Sequence, residues 1–326
     1  MFQIVVPVKI MAEPKFYSPL KIGLLTVSVA YFLFSLHALF TLSWIGEWEY
    51  LAGGSAMFWI FITDVSAYFG LVFRFIASII AVAAVILYFA RWGLPESTVF
   101  KVLKWILVLE ALYWVPLFPS GLMGFMPVDL SGLGATAGLS LSLLITTGIP
   151  CLVSSIVIPF ALFKLASKLK PNKPQKDTIK WGLIAGTLYI FVFWLNNMGM
   201  WLATFFSKGD AYFSAYPEST LSFVLTVYGL PVLVAFTAYV TGKTLAAGTE
   251  TFEKLNPRPI GALITALGLY FLWNYLTWIY FGGWSDWYAW FLGHNLDLWM
   301  LSLPLVGLPL LLRAAPRRLE GKPNTR

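Results

Sequence analysis

Leu141-Ser142 with Gly148-Ile149-Pro150, Leu221-Ser222 with Gly229-Leu230-Pro231, and Leu301-Ser302 with Gly307-Leu308-Pro309 read as three copies of one signature. Their prolines stand 81 and 78 residues apart. One period earlier, Gly70-Leu71-Val72 gives a weaker fourth copy without the proline. A period near 80 residues is too long for a soluble solenoid and fits two membrane spans with their loops. Repeated membrane units place equivalent side chains at similar depth around a shared interior, where polar sites are built.

Composition agrees with that reading. Of 326 residues, 59% are hydrophobic and 11% charged, and the mean hydropathy is +0.78. A soluble domain carries roughly 25% charged residues. Too few charges remain to cover a water-facing surface, so the expected class is all-α integral membrane. The single Cys151 excludes an intramolecular disulfide and any Cys-rich metal site. Two histidines, His37 and His294, leave little for a His-rich metal centre, and no metal site is assigned. Phosphate-loop, His-Glu-x-x-His and Gly-x-Ser-x-Gly patterns are absent, so no catalytic residue is assigned. Ser142, Ser222 and Ser302 recur with the repeat but have no nearby His base, and they read as packing residues.

A span needs about 20 apolar residues to cross the hydrocarbon core. Eight transmembrane helices are expected, near 21–43, 66–90, 101–117, 137–165, 180–205, 221–242, 260–281 and 296–312. They form four repeated hairpins at about 21–90, 101–165, 180–242 and 260–312, within a membrane domain of 21–313. Residues 1–20 read as a retained cytoplasmic or interfacial tail, and 314–326 as a basic cytoplasmic tail. With these spans, 20 of the 22 Lys and Arg residues fall on one side, Arg74 and Lys208 being the exceptions. Basic residues stay in the cytoplasm, so both termini are expected there, in the cell membrane. The net charge of +7 then reflects topology and contact with anionic membrane lipids; no folded basic surface suggests nucleic acid.

The outer segments 46–65, 118–134, 207–220 and 282–295 are acidic, aromatic and almost free of Lys. The Pro and Gly of 118–134 argue against continuous helix there. Two readings stay open for this face. One is an aromatic belt in the headgroups. The other is a docking platform for an external partner through Trp48, Trp284, Trp287 and Trp290.

Polar groups inside the spans also repeat. Gly23 precedes His37 by 14 residues, Gly182 precedes Asn196 by 14, and Gly261 precedes Asn274 by 13, with Tyr31, Tyr189 and Tyr270 between. Asn197 adjoins the second of these, and the second hairpin offers Glu110 instead. Arg74 lies at a depth from which it can reach Glu110 or Asp64. An ionisable residue in a span costs roughly 3 kcal/mol or more to insert, so it faces protein or water. His37, Arg74, Glu110, Asn196, Asn197 and Asn274 therefore either bind the bundle together or line an outward polar pocket. Such a pocket suits a quinone headgroup, a proton path or a small solute. A haem b between His37 and His294 ranks behind these, because His294 falls at the membrane interface.

Eight spans, small loops and a few polar groups in the outer leaflet make the whole chain similar in architecture to the B subunit of archaeal b-type cytochrome complexes. It resembles polysulfide- and dimethylsulfoxide-reductase anchors more loosely. The resemblance implies a multi-pass subunit of a respiratory electron-transfer complex, not catalytic alone, that anchors an extracytoplasmic redox partner and binds quinone. The alternative is a small-solute or ion transporter or channel that uses the same pocket and its proline kinks. An enzyme acting on lipids comes third, since the loops hold no acid–base cluster.

Overall fold

The computed structural model describes residues 17–42, 55–89, 96–123, 125, 144–170, 175–215, 217–249, 255–293 and 298–312. These residues are nearly all helical, with no strand among them. The long helices are α1 (Tyr17–Leu42), α2 (Ser55–Phe89), α3 (Glu96–Trp114), then, after the short α4 (Phe118–Met123), α5 (Ile149–Lys168) and α6 (Lys176–Ala215). After the short α7 (Pro217–Val224) come α8 (Leu230–Ala246), α9 (Pro257–Gly293) and α10 (Pro304–Leu312). Hydrocarbon offers no partner to backbone N–H and C=O groups, so a chain this apolar closes its hydrogen bonds within helices.

Among the described residues, six stretches are long and apolar enough to cross a membrane: Pro19–Phe40, Val65–Leu87, Thr98–Leu122, Ile149–Lys168, Lys176–Gly199 and Thr220–Ala246. The seventh and eighth expected spans fall on α9, which is 37 residues long, and on the shorter apolar stretch Trp299–Leu312. Many large apolar side chains point outward, Phe40, Trp105, Val232 and Leu312 among them. In lipid that surface is the expected one.

Several helices outrun the bounds read from hydropathy. α2 begins at Ser55, within the expected loop 46–65, and α9 continues to Gly293 through the expected loop 282–295. α6 runs to Ala215, broken only at Gly209, whose φ of 67° is left-handed. Hydropathy detects where a helix leaves the apolar layer; the hydrogen-bond ladder has no reason to stop there. The 3₁₀ turn Val115–Leu117 carries α3 into α4, so the first part of 118–134 is also helical.

Two prolines act alike. Leu144–Gly148 and Leu225–Gly229 are π-helical turns, each followed by a helix with Pro150 or Pro231 at its second residue. A proline ring clashes with the carbonyl four residues back, here Thr146 and Val227. Widening the preceding turn relieves that clash. Pro309, their sequence counterpart, behaves differently: it lies inside α10, and the irregular stretch before α10 is the 3₁₀ segment Leu298–Ser302 ahead of Pro304.

Helices consecutive in the chain are neighbours in space: α1 packs on α2, α2 on α3, α3 on α5, α5 on α6 and α6 on α8. α10 packs on both α9 and α1, so the two ends of the bundle meet, while α8 and α9 touch only sparingly. Glycines make the closure tight. A Cβ at Gly23 of α1 would strike the Leu305 carbonyl, and one at Gly261 of α9 would strike the Leu311 amide. Gly268 likewise faces Pro304, and Gly307 faces Thr265. Small residues let backbones approach where lipid supplies no hydrophobic drive for helix association.

Gly261→Val should therefore force α9 from α10 and cost about 1–3 kcal/mol. Thermal unfolding in detergent should show a lower midpoint for Gly261→Val and none of that loss for Gly242→Ala, whose Cβ would enter open space.

Candidate functional site

Arg74 carries a charge that apolar surroundings cannot solvate, and only 2% of it is exposed. α2 directs it toward α3, where its Nε lies 3.6 Å from Glu110 Oε1. That separation makes an ion pair slightly longer than a hydrogen bond. The guanidinium also sits over the Tyr113 ring, 3.8 Å from its centroid, and 6.0 Å from that of Tyr31. Glu110, Tyr113 and Trp114 are three and four residues apart, so one face of α3 presents all of them. A carboxylate and an aromatic face together offset the removal of Arg74 from water.

Aromatic rings wall the pair. Tyr31 of α1 meets Trp299 edge-on at 5.4 Å, and Tyr113 meets Trp114 at 5.2 Å. Trp114 in turn meets Tyr189 of α6 at 5.8 Å. Beside the ion pair, Ala38, Leu71 and Tyr113 form a small core, with Leu39 and Trp114 packed on it. Gly70 permits the approach of α2 to α3, because a Cβ there would meet the Tyr113 carbonyl. First and last elements of the chain thus converge on Arg74: Tyr31 comes from α1 and Trp299 from the segment that precedes α10.

Three donors in this box are unspent. Tyr31 Oη, Trp114 Nε1 and Trp299 Nε1 are buried and find no hydrogen-bond partner among the described residues. Buried polar atoms are nearly always satisfied by protein, water or a ligand. Three such groups beside one charged pair make a donor-rich cluster among flat aromatic rings. Trp194 Nε1 is in the same state but stands apart, its ring against Phe191.

Two of the other expected polar residues, Asn196 and Asn197, have partners elsewhere. Asn196 reaches Ser154 of α5 at 3.5 Å, and Ser154 donates to the Pro150 carbonyl. Asn197 donates to the Phe193 carbonyl of its own helix at 2.8 Å. His37 precedes Ala38 of the small core and is half-buried. The side chains of Asp64, Asn274, Trp284, Trp287 and Trp290, and all of Trp48 and His294, lie outside the described residues. The bis-imidazole pairing of His37 with His294 therefore falls outside them too. Among the described residues, no three His, Cys, Asp or Glu side chains gather to hold a metal ion.

Residue-type reasoning passed over the tyrosines. Tyr31, Tyr189 and Tyr270 recur with the repeat, and each sits in a seam between helices: Tyr31 on Trp299, Tyr189 on Trp114, and Tyr270 on Phe193 with its hydroxyl 2.9 Å from Thr226. Their periodic spacing was the available signal. Trp114 and Trp299 carried none, because tryptophan is abundant throughout the chain. No protein-family model, curated protein or solved structure matches the chain.

Arg74→Met or Glu110→Leu alone should destabilise the protein by about 3 kcal/mol, since each leaves one buried charge uncompensated. The double variant should recover most of that loss. A double-mutant cycle on unfolding midpoints in detergent measures the coupling, and additive losses would mean that the ion pair is not shared.

Proposed function

We propose that this protein is a membrane-anchor subunit of an electron-transfer complex, with a quinone-headgroup site beside Arg74 and Glu110. The observation that carries this reading is the set of unspent donors, Tyr31 Oη, Trp114 Nε1 and Trp299 Nε1, beside the Arg74–Glu110 pair. A quinone is flat, apolar and ends in two carbonyl acceptors. Donors supply what its oxygens need, and aromatic walls suit its ring. The carboxylate of Glu110 would exchange protons with a ligand that gains or loses them.

The wider topology belongs to the same proposal. Eight crossings as four hairpins would add α9 and the shorter apolar stretch Trp299–Leu312 to the six apolar spans. The basic bias of alternate loops supports cytoplasmic termini in the cell membrane. The site then lies toward the outer half, within reach of an extracytoplasmic redox partner, and the outer tryptophans offer that partner anchors. The layout shared with respiratory anchor subunits supports this assignment by analogy.

One observation favours the transporter reading. The π-turns before Pro150 and Pro231 are places where a helix bends without losing further hydrogen bonds. A solute path would then pass between α5, α6 and α8.

Protein purified from native membranes should retain extractable quinone. Tyr31→Phe and Trp299→Phe should each weaken quinone binding about threefold to tenfold, the worth of one hydrogen bond, without lowering yield. Quinone-independent uptake of a small solute into proteoliposomes, unaffected by these variants, would favour the transporter instead. Separately, terminal reporter fusions should report both ends on the cytoplasmic side; an external signal from one end alone would refute the eight-span topology, and from both ends its orientation.

A further inference from the structure

At the end of the bundle opposite the α5 and α8 prolines, helix ends surround a cavity of about 520 Å³. That volume lies within the usual range of ligand sites, roughly 300–1,000 Å³. Five helices contribute to its walls, through Leu107 of α3, Leu165 of α5, Leu183 of α6, Val240 of α8 and Ile264 of α9. It occupies the seam where α8 and α9 touch only sparingly.

Its few hydroxyls are already engaged. Thr178 donates to the Lys168 carbonyl at 3.0 Å, Thr237 to the Leu233 carbonyl at 2.7 Å, and Thr241 shares a 2.9 Å bond with Thr187. The walls thus ask for hydrocarbon. Gly182 and Gly186 widen the space: a Cβ at Gly186 would meet nothing within 4 Å, and one at Gly182 only the tip of Leu165.

A second cavity of about 250 Å³ lies beside the first, and Ile179 borders both. It is lined by Lys176, Lys180, Thr244 and Thr249. Lys176 and Lys180 are four residues apart on α6 and so share a face. Asp177, also on its wall, lies 3.1 Å from Lys168 in an exposed ion pair. Lys104, Lys243 and Arg258 lie within two residues of lining residues of the larger cavity, so this end is strongly basic.

We propose that these neighbouring cavities bind an anionic phospholipid, its acyl chain in the apolar cavity and its phosphate between Lys176 and Lys180. Hydrophobic walls alone would accept any lipid; the two lysines at the mouth select negative charge. Basic groups at a membrane surface attract anionic headgroups by about 1 kcal/mol each, and here two exposed ones stand on the wall of one cavity. The loose seam between α8 and α9 gives the acyl chain a sideways path from the bilayer. This site shares no residue with the Arg74 cluster and stands whether or not quinone binds there.

The test uses the full chain in detergent, with dioleoyl phosphatidylglycerol, dioleoyl phosphatidylcholine or inorganic phosphate added. Phosphatidylglycerol should raise the unfolding midpoint by several degrees and remain bound in native mass spectrometry. Phosphatidylcholine, with the same chains, should do so much less, and inorganic phosphate not at all. Lys176→Gln with Lys180→Gln should weaken phosphatidylglycerol binding about tenfold and abolish the preference over phosphatidylcholine. Gly186→Leu, or Gly182→Leu as a second plug, should remove the response to both lipids. Equal responses to the two lipids, an equal response to inorganic phosphate, or an undiminished response in both plugged variants would overturn the proposal.

Discussion

Arg74 is the residue around which the rest is arranged. A guanidinium in hydrocarbon has no water to solvate it, so the protein must supply the solvation itself. Glu110 provides the opposite charge and Tyr113 an electron-rich face. Supplying both from one face of α3 fixes the rotation of α3 against α2. The glycine at position 70 then becomes necessary, because no Cβ fits between the two backbones at that approach. Tyr31 and Trp299 bring α1 and the C-terminal segment onto the same centre. One desolvated cation thereby links the first helices to the last.

The same shortage of water explains the second organising feature. Helices in lipid gain little from burying apolar side chains against each other, since the tails are equally apolar. Close backbone approach and shared hydrogen bonds must hold them instead. α10 is held in this way by Gly23, Gly261, Gly268 and its own Gly307. α6 joins α8 through the Thr187–Thr241 hydroxyl pair, and the segment before α8 joins α9 through Thr226 and Tyr270. The seam between α8 and α9 has fewer such devices, and a large apolar cavity lies there. Lipid-filled space at the least tightly held joint follows from the same physics as tight packing elsewhere.

Membrane character was legible because it depends on summed composition. Summed over its length, this chain carries too few charges to face water, whatever the arrangement of its helices. Span positions followed to within a few residues for Pro19–Phe40 and Val65–Leu87. Helix ends were not legible in 46–65, 207–220 and 282–295. A helix can leave the bilayer and keep its ladder, and hydropathy is blind to that. Pro150 and Pro231 marked real irregularities, since the proline ring acts on its own preceding turn. Pro309 did not, because the neighbouring Pro304 takes the break.

Sequence by itself determined the solvent in which this chain folds, the helical form of its spans and the presence of costly polar groups within them. Each follows from single residues or local runs weighed against hydrocarbon. Only the tertiary structure decided which polar groups meet. Asn196 and Glu110 looked alike as buried polar residues, yet one faces Ser154 and the other Arg74. The outcome depends on the rotation and approach of whole helices, set by many small contacts at glycines and aromatic rings far apart in the chain. No local stretch contains that information, because pairing is a property of two surfaces at once.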